Sequence, residues 1–365
     1  MMELNCLCDI YSGYAFKSFN DTSDGIPVIK IGNILSDGTI ELTDCVYTEE
    51  VPNEKYYSKK DDIYIALSGA TTGKIGVMQT DGLYVINQRV GIIRNKGKIP
   101  NDYLKYFLVS KSNQILKEAS GCAQPNISPK QISKYDISIQ TEEKMLLITQ
   151  QLKKIEVILQ NYRNQIDLLD ELVKARFVEM FGDIISNDKN WNSKPLKELC
   201  DISRGASPRP ISDYLGGTIP WIKIGDATIG DSIYINSTKE HIIKEGVRKS
   251  RFIKKGSLIF ANCGVSLGFC RIINFDGCIH DGWLAFQNID TSLNKIFLLT
   301  TINQMTGYFR KIAPGGTQPN LNTDIVGNYI QVVPPLELQN QFADFVKEVD
   351  KSRFIIKSMI KEGLL

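Results

Sequence analysis

Ile-Pro-Val-Ile-Lys-Ile-Gly at residues 26–32 returns as Ile-Pro-Trp-Ile-Lys-Ile-Gly at residues 219–225, 193 positions further along the chain. Three more pairs of segments repeat in the same order, with offsets of 192 to 195: Cys8-Asp9-Ile10 with Cys200-Asp201-Ile202, Ala66-x-x-Gly69-x-x-x-Gly73 with Ala261-x-x-Gly264-x-x-x-Gly268, and Gln124-Pro125-Asn126 with Gln318-Pro319-Asn320. Chance similarities would not share one order and one spacing. Because this period is too long for a solenoid, we infer a tandem duplication of a whole domain.

A long helix is predicted after the first copy. From Met145 the apolar residues recur at alternating steps of three and four over four heptads, with no glycine or proline between them. Thr141 is a plausible start and Phe181-Gly182-Asp183 a plausible end, which gives about 40 residues and a length of roughly 60 Å. The predicted seam consists of Ile148, Leu152, Ile155, Leu159, Tyr162, Ile166, Leu169 and Val173.

A second, shorter helix is predicted after Pro334-Pro335, which forces extended chain before a helix can begin. Shifted by 194 residues, five of its apolar positions match the seam of the first helix, and Arg353 interrupts them. Since a lone helix would leave its seam exposed, we expect the two helices to pair as an antiparallel coiled coil. The second helix ends before any counterpart of Leu172–Asp183, so the two ends of the pair need not be equivalent. Its seam residues are Phe342, Val346, Val349, Ile356 and Ile360.

Short strands and paired helical segments are predicted within each copy. The strand-like runs are rich in β-branched residues and are bounded by Gly, Asp or Asn. They are 26–31, 63–67, 84–86 and 90–93, with 258–261 and 283–286 in the second copy, and helical spacing covers 101–118 and 295–311. The sequence therefore predicts an α+β protein, with two tandem-duplicated α/β domains separated by long helices. The expected boundaries are 1–140, 141–183, 184–334 and 335–365.

Composition and missing motifs argue against an enzyme and against a membrane protein. The 365 residues are 42% hydrophobic and 23% charged, which fits a soluble globular protein. No uncharged apolar run of about 18 residues and no signal peptide appear. We therefore expect a cytoplasmic protein. Eight cysteines without a CxxC pair and two histidines predict free thiols and no metal. Phosphate-binding, dinucleotide, protease, kinase and methyltransferase motifs are missing, so we expect no cofactor and no catalysis. His280 beside Asp281 favours a hairpin tip over an acid–base pair.

Several segments together resemble one protein family, the specificity subunits of Type I restriction-modification systems. The resemblance covers essentially the whole chain and depends on the order of its segments. It is carried by both Ile-Pro-x-Ile-Lys-Ile-Gly segments, by 13–18, 69–76, 124–128, 318–322 and 177–183, and by the long helix after each copy.

The resemblance implies a function and a set of partners. Each globular domain would be a target-recognition domain that reads one half of a bipartite, gapped site in double-stranded DNA. The helices would set the gap and dock two methyltransferase subunits, with nuclease subunits added for restriction, and the chain itself would be non-catalytic. The alternative is a structural coiled-coil adaptor with two protein-binding heads and no role on DNA.

Some candidate DNA contacts occur in both copies or in turn-like segments. Thr71, Thr72 and Lys74 lie in a Gly- and Thr-rich loop, where either a phosphate contact or a tight hairpin turn is possible. The Gln and Asn side chains of the repeated Gln-Pro-Asn segment can hydrogen-bond to adenine. Because both copies contain this segment, a role in the fold or in positioning phosphates is favoured over base reading. The same argument applies to the two lysines of the duplicated segment. These shared residues are Gln124, Asn126, Gln318, Asn320, Lys30 and Lys223.

Specificity is expected where the copies differ. Lys17, Gln88 and Arg89 are the candidates in the first copy, and Arg204, Arg209 and Asn262 in the second. Residues 184–334 carry 17 basic and 12 acidic side chains, an excess to which the run 244–255 contributes. Within this run Lys249 and Arg251 are candidate phosphate contacts, with a solvated charged face as the alternative.

Overall fold

The computed structural model describes residues 1–20, 24–119, 125–228, 233–264, 266–314 and 320–363. The chain forms two compact units, Met1–Gln160 and Asn161–Leu365. The boundary between them falls inside one long helix, because the first half of that helix packs on the first copy and the second half on the second copy.

The first unit contains one copy of the repeat and the beginning of the long helix. Its short strands are separated by turns, and its helices follow the last long strand. The elements are β1 (Met2–Glu3), β2 (Cys8–Ser12), β3 (Ile26–Ile29), β4 (Val46–Thr48), β5 (Ile63–Ala66), β6 (Ile75–Val77), β7 (Val85–Ile86), β8 (Val90–Asn95), α1 (Asn101–Ser110), α2 (Ser112–Ala119), α3 (Pro129–Ile132), β9 (Asp136–Ile137) and α4 (Glu142–Phe181).

The central sheet of the first unit has the order β2-β8-β5-β6, and all its pairs are antiparallel. Both of its faces are covered: Ile63 and Ile65 of β5 enter one hydrophobic cluster, while Tyr64 and Ala66 enter another. This burial explains why β5 is an uninterrupted apolar run rather than an alternating one. A second sheet has the strand order β4-β3-β7. A separate two-stranded sheet pairs β1 with β9.

The second unit contains the other copy and the C-terminal helix. Its elements are β10 (Asn192–Pro195), β11 (Asp201–Arg204), β12 (Leu215–Ile222), α5 (Ile224–Ala227), β13 (Tyr234–Ile235), β14 (Glu240–Ile242), α6 (Lys244–Val247), β15 (Arg251–Ile253), β16 (Leu258–Ala261), β17 (Cys270–Ile273), β18 (Gly277–Ile279), β19 (Trp283–Gln287), α7 (Lys295–Gln304), α8 (Thr306–Ile312), α9 (Thr323–Gly327), β20 (Ile330–Val333) and α10 (Leu336–Gly363).

The sheets of the second unit repeat the plan of the first. The order β11-β19-β16-β17-β13 contains the four-stranded core of the first unit with one strand added, and β14-β12-β18-β15 replaces the three-stranded sheet. The terminal pair β10-β20 corresponds to β1-β9. The duplication inferred from the repeated segments is therefore visible in the strand order.

The strands and helices predicted inside each copy are confirmed, with one difference. Each predicted helical segment is two helices, because the chain leaves the α-helix at Lys111 and at Met305. In both copies the next residue carries a hydroxyl that donates to a carbonyl three residues earlier, Ser112 to Val109 and Thr306 to Asn303. Such local bonds offer the backbone an alternative to continuing the helix.

Within the second unit, the C-terminal part of α4 and α10 pack antiparallel. Phe342 near the start of α10 lies against Phe177 and Phe181 at the end of α4, with ring centroids 5.3 and 5.5 Å apart. About three turns further along α10, Arg353 bonds to Asp170, which lies earlier in α4. This order confirms the antiparallel pairing.

The seam positions lie on the less exposed side of both helices. In α10, Phe342, Val346 and Val349 are buried, and Ile356 and Ile360 are half-buried. In α4 every seam residue is half-buried except Ile155, which is 45% exposed. Arg353, which interrupts the pattern, is buried between Asp170 and Asp350.

The first part of α4 is attached to the first unit by polar contacts. Glu156 accepts hydrogen bonds from Lys105 and from the hydroxyl of Tyr106 on α1, and Lys153 pairs with Asp102. Across the described residues, no helix combines the length and the apolar character needed to cross a bilayer.

Candidate nucleic-acid interface

In the first copy, an exposed turn at 87–89 connects β7 and β8 and is held by backbone hydrogen bonds on three sides. The amide of Tyr14 donates to Ile86, that of Gly13 to Val90 and that of Leu67 to Arg89, at 2.7 to 2.9 Å. Gly13 is required there, because a Cβ would lie 2.3 Å from the Asn87 carbonyl oxygen. Asn87, which was not among the residues predicted from the sequence, accepts the Arg89 amide through its Oδ1 at 3.1 Å.

This turn brings three of the candidate residues together. Gln88, Arg89 and Asn126 are exposed, and Asn126 forms a β-bridge to Ser68. They line an open cavity of about 440 Å³. Most of its polar lining comes from side chains that can both donate and accept hydrogen bonds, the mixed character needed to read base edges. Among the described residues, the lining consists of Ser12, Leu67, Ser68, Gln88, Arg89, Pro125, Asn126, Ile127, Ser128 and Pro129.

The second copy holds the turn 280–282 in an equivalent set of backbone bonds. Amides of Ala206, Gly205 and Asn262 donate to residues 279, 283 and 282, matching the three bonds of the first copy. His280 takes the place of Asn87, because its Nδ1 accepts the Gly282 amide at 2.7 Å. We call this shared set of bonds the turn frame, and it displays Gln88-Arg89 in one copy and Asp281-Gly282 in the other.

Charged side chains converge on the turn of the second copy. Asp281 accepts a hydrogen bond from the Ser207 hydroxyl at 2.7 Å, and its other oxygen lies 3.4 Å from Arg209. Arg204 donates to the Asp281 carbonyl oxygen at 3.1 Å, and Arg251 donates to the carbonyl of Arg204. Three candidates, Arg204, Arg209 and Arg251, are therefore linked to the Asp281 residue, and only Arg209 contacts its carboxylate.

The carboxylate at this centre is ionised at neutral pH. Partial burial raises the pKa of Asp281, but the Ser207 hydrogen bond and the adjacent His280 outweigh it, so the pKa lies below its ordinary value. Burial lowers the pKa of His280, so this imidazole is neutral at pH 7. The surface formed by Asp281 and the three arginines thus combines one acceptor-only group with several donor-only groups.

The loop with Thr71, Thr72 and Lys74 is a tight turn rather than a phosphate cradle. The amides of Thr72, Gly73 and Lys74 all donate to carbonyls of the turn or of β5, so they are not available to a ligand. Thr72 is buried, and its hydroxyl donates to the Gly69 carbonyl. Thr72, Lys74, Lys105 and Glu156 line a different cavity from Gln88 and Arg89. The turn interpretation is therefore favoured for the backbone of this loop, and a phosphate contact by the Lys74 ammonium stays a prediction.

Lys30 and Lys223 directly follow equivalent strands, β3 and β12, and serve the fold. Their amides are capped by the side chains of Asn33 and Asp226, each at 2.8 Å. The Lys30 ammonium lies 3.9 Å from the centre of the Phe19 ring. Lys223 forms an ion pair with Glu240. The structural interpretation of both lysines is thus the better one.

Asn262 is not a surface contact, contrary to expectation. Its side chain is fully buried and donates to the Leu321 carbonyl and to Asn320 Oδ1, at 3.2 and 3.3 Å. Its amide belongs to the turn frame, so Asn262 positions the loop that follows β16. Asn320, which is exposed, forms a β-bridge to Cys263, as Asn126 does to Ser68.

The other candidates lie elsewhere on the surface or outside the described residues. Lys17 is exposed in a loop held by Glu50, which accepts the amides of Lys17 and Ser18. Lys249 is exposed and donates to the hydroxyl of Tyr214. Gln124 and Gln318 lie outside the residues that the structure describes. Among the described residues, no three His, Cys, Asp or Glu side chains are grouped to hold a metal ion.

Together the fold and the site define a duplicated α+β protein that displays one polar turn from each copy. A family model described as the Type I restriction modification DNA specificity domain matches residues 1–174 and 188–365. The chain belongs to this family of Type I restriction-modification DNA specificity domains, and the two matched segments correspond to its two copies.

Two curated relatives come from Methanocaldococcus jannaschii. The Type I restriction enzyme MjaIX specificity subunit is 26% identical over 185 residues, which are 49% of this chain and 43% of that subunit. The MjaVIII specificity subunit is 20% identical over 326 residues, 82% of this chain and 75% of that protein. The first match thus spans less than half of the length of its relative.

Two solved structures share the fold over nearly the whole chain. The S subunit of a Type-I restriction-modification system from M. genitalium superposes with a TM-score of 0.54 at 15% identity, covering 100% of this chain and 92% of that one. A chain from a study of complex assembly and conformational transition in the type I R-M system gives 0.52 at 17% identity, covering 99% and 92%.

Proposed function

We propose that the chain is the DNA sequence-recognition subunit of a Type I restriction-modification complex in the cytoplasm. Each copy reads one half of a bipartite, gapped site in double-stranded DNA, and the paired helices set the gap and dock two methyltransferase subunits. Methyl transfer, and cleavage where nuclease subunits join, take place in the partner subunits. The adaptor alternative is not favoured, because the family to which the chain belongs is described by DNA specificity.

One observation carries this proposal: the turn frame is the same in both copies, while the residues it displays differ. Gln88 and Arg89 in the first copy occupy the positions of Asp281 and Gly282 in the second, and Arg209 joins Asp281 from a neighbouring loop. Base edges in the major groove differ in the same two properties, so unlike side chains on one frame read unlike half-sites.

Deleting the gene is expected to remove one split, gapped methylation motif from the host genome. The measurement is single-molecule sequencing of methylated bases in cells with and without the gene. Restoring the gene on a plasmid should restore the same motif. A genome whose methylated motifs are the same in all three strains, although the chain co-purifies with a methyltransferase subunit, would contradict the proposal.

Exchanging residues 184–334 for the corresponding segment of another family member is expected to change one half-site only. The first half-site and the gap should stay as in the wild type, because 1–183 and the C-terminal helix are untouched. The reciprocal exchange of 1–140 serves as the matched control and should change the other half-site. A change in both half-sites after either exchange would show that the copies do not read independently.

A further inference from the structure

We propose that Asp281 and Arg209 together read a cytosine–guanine base pair in the second half-site, with the carboxylate on cytosine and the guanidinium on guanine. This inference rests on the proposed function and deepens it by assigning the residues and the base pair. It starts from the turn frame, in which Asp281 occupies the position that Gln88 occupies in the first copy.

The carboxylate is oriented before any ligand arrives. Ser207 holds one oxygen of Asp281 at 2.7 Å, and the frame holds the backbone on both sides of the residue. The other oxygen has a weaker contact, 3.4 Å from Arg209, whose side chain is 81% exposed. Arg209 can therefore turn away to a ligand while Ser207 keeps the carboxylate in place.

The two copies supply their arginine from different parts of the chain. A Cβ at position 282 would lie 2.2 Å from the His280 ring, so glycine is required where the first copy has Arg89. The guanidinium that the first copy displays from its turn is supplied in the second copy by Arg209, from the loop before β12. The two copies thus present a side chain with an acceptor oxygen and an arginine by different routes.

A carboxylate is selective among base edges because it can only accept hydrogen bonds. It is repelled by phosphates, and in the major groove guanine and thymine offer it no donor. Adenine presents its N6 donor next to the N7 acceptor, which repels the second oxygen. Cytosine presents the N4 amino group, and its guanine partner presents O6 and N7, the pair that arginine binds in a bidentate manner. The combination of Asp281 and Arg209 therefore fits a cytosine–guanine pair.

Asp281→Asn in the complete complex with its methyltransferase subunits is the decisive variant. The substitution keeps the shape of the side chain and adds a donor, so the cytosine should no longer be preferred at its position. We expect the preference for the cytosine–guanine pair to fall by about 10- to 100-fold, the range that one mismatched base pair typically costs. The first half-site and the gap should be unchanged.

The measurement is competition binding to duplexes in which each base pair of the second half-site is changed in turn. Asp276→Asn is the matched control, because Asp276 is an exposed carboxylate at the opposite end of β18 and removes the same charge. Asp281→Glu retains the carboxylate and should retain a preference for cytosine. Gln88→Ala should relax one position of the first half-site and none of the second.

Loss of discrimination at one cytosine–guanine position by Asp281→Asn alone supports the inference. Unchanged discrimination, equal loss at every position, or a variant complex that binds no duplex overturns it, the last because Asp281 would then serve the fold. A wild-type complex that prefers no split motif would contradict the proposed function instead, so the two failures are distinguishable.

Discussion

Inserting one heptad between Gln160 and Asn161 is expected to lengthen the gap in the methylated motif by about three base pairs. Seven helical residues add about 10 Å, and base pairs are about 3.4 Å apart along the DNA axis. The insertion keeps the heptad phase of the seam, so the side chains facing α10 stay nearly the same. Both half-sites should be unchanged, because no residue of either recognition domain is altered.

The junction is chosen because the ion pairs that fix the two parts of α4 lie on either side of it. Glu156 stays with Lys105 in the first unit, and Asp170 stays with Arg353 in the second. The control replaces Gln160 and Asn161 by alanine without changing the length, and its motif should equal that of the wild type. Sequencing of methylated bases reads the gap directly. An intact motif with an unaltered gap would show that the helix does not set the spacing.

Replacing both Asp170 and Asp350 by alanine is expected to lower the free energy of unfolding by about 3 kcal/mol. The double variant removes two carboxylates from the guanidinium of Arg353, which is only 7% exposed. Removing the partners of a buried charge costs about 3–5 kcal/mol, and the half-exposed position of Asp170 favours the lower end of this range. Calorimetry of the full chain measures the shift.

Arg353→Leu provides the contrast. A leucine would continue the seam at the position that corresponds to Leu159, and the carboxylates of Asp170 and Asp350 left behind are partly exposed, so neither becomes a fully buried unpaired charge. We expect its stability to lie within about 1 kcal/mol of the wild type. If the leucine variant were as unstable as the double alanine variant, packing around position 353 and not the unpaired charge would explain both losses.

The strands and helices could be predicted because their signals are local. The buried run of β5 and the four heptads of α4 can be recognised from neighbouring residues alone. The repeated segments predicted the duplication of a whole domain. The pairing of the two helices could also be predicted, because an apolar seam on one helix must be covered by a second apolar surface.

The site was only partly predictable, because exposure depends on distant residues. Asn262 differs between the copies and was therefore a candidate, but its side chain is buried and donates to the carbonyl of Leu321, 59 residues away. Lys74 was left between two interpretations, because only the three-dimensional turn shows that its amide is occupied. Asp281 was assigned to a hairpin tip, and comparison at the offset of 193 residues would have matched it with Gln88.

The packing of α4 also bears on the order in which the chain folds during synthesis. Phe177 and Phe181 are fully buried, yet the aromatic rings that cover them belong to Phe297 and Phe342. Phe342 leaves the ribosome about 160 residues after Phe181, which takes on the order of 10 s. During that time the end of the central helix is an apolar surface without its partner. If synthesis stalls in this interval, we therefore expect chaperones to bind to this apolar surface and aggregation to begin there.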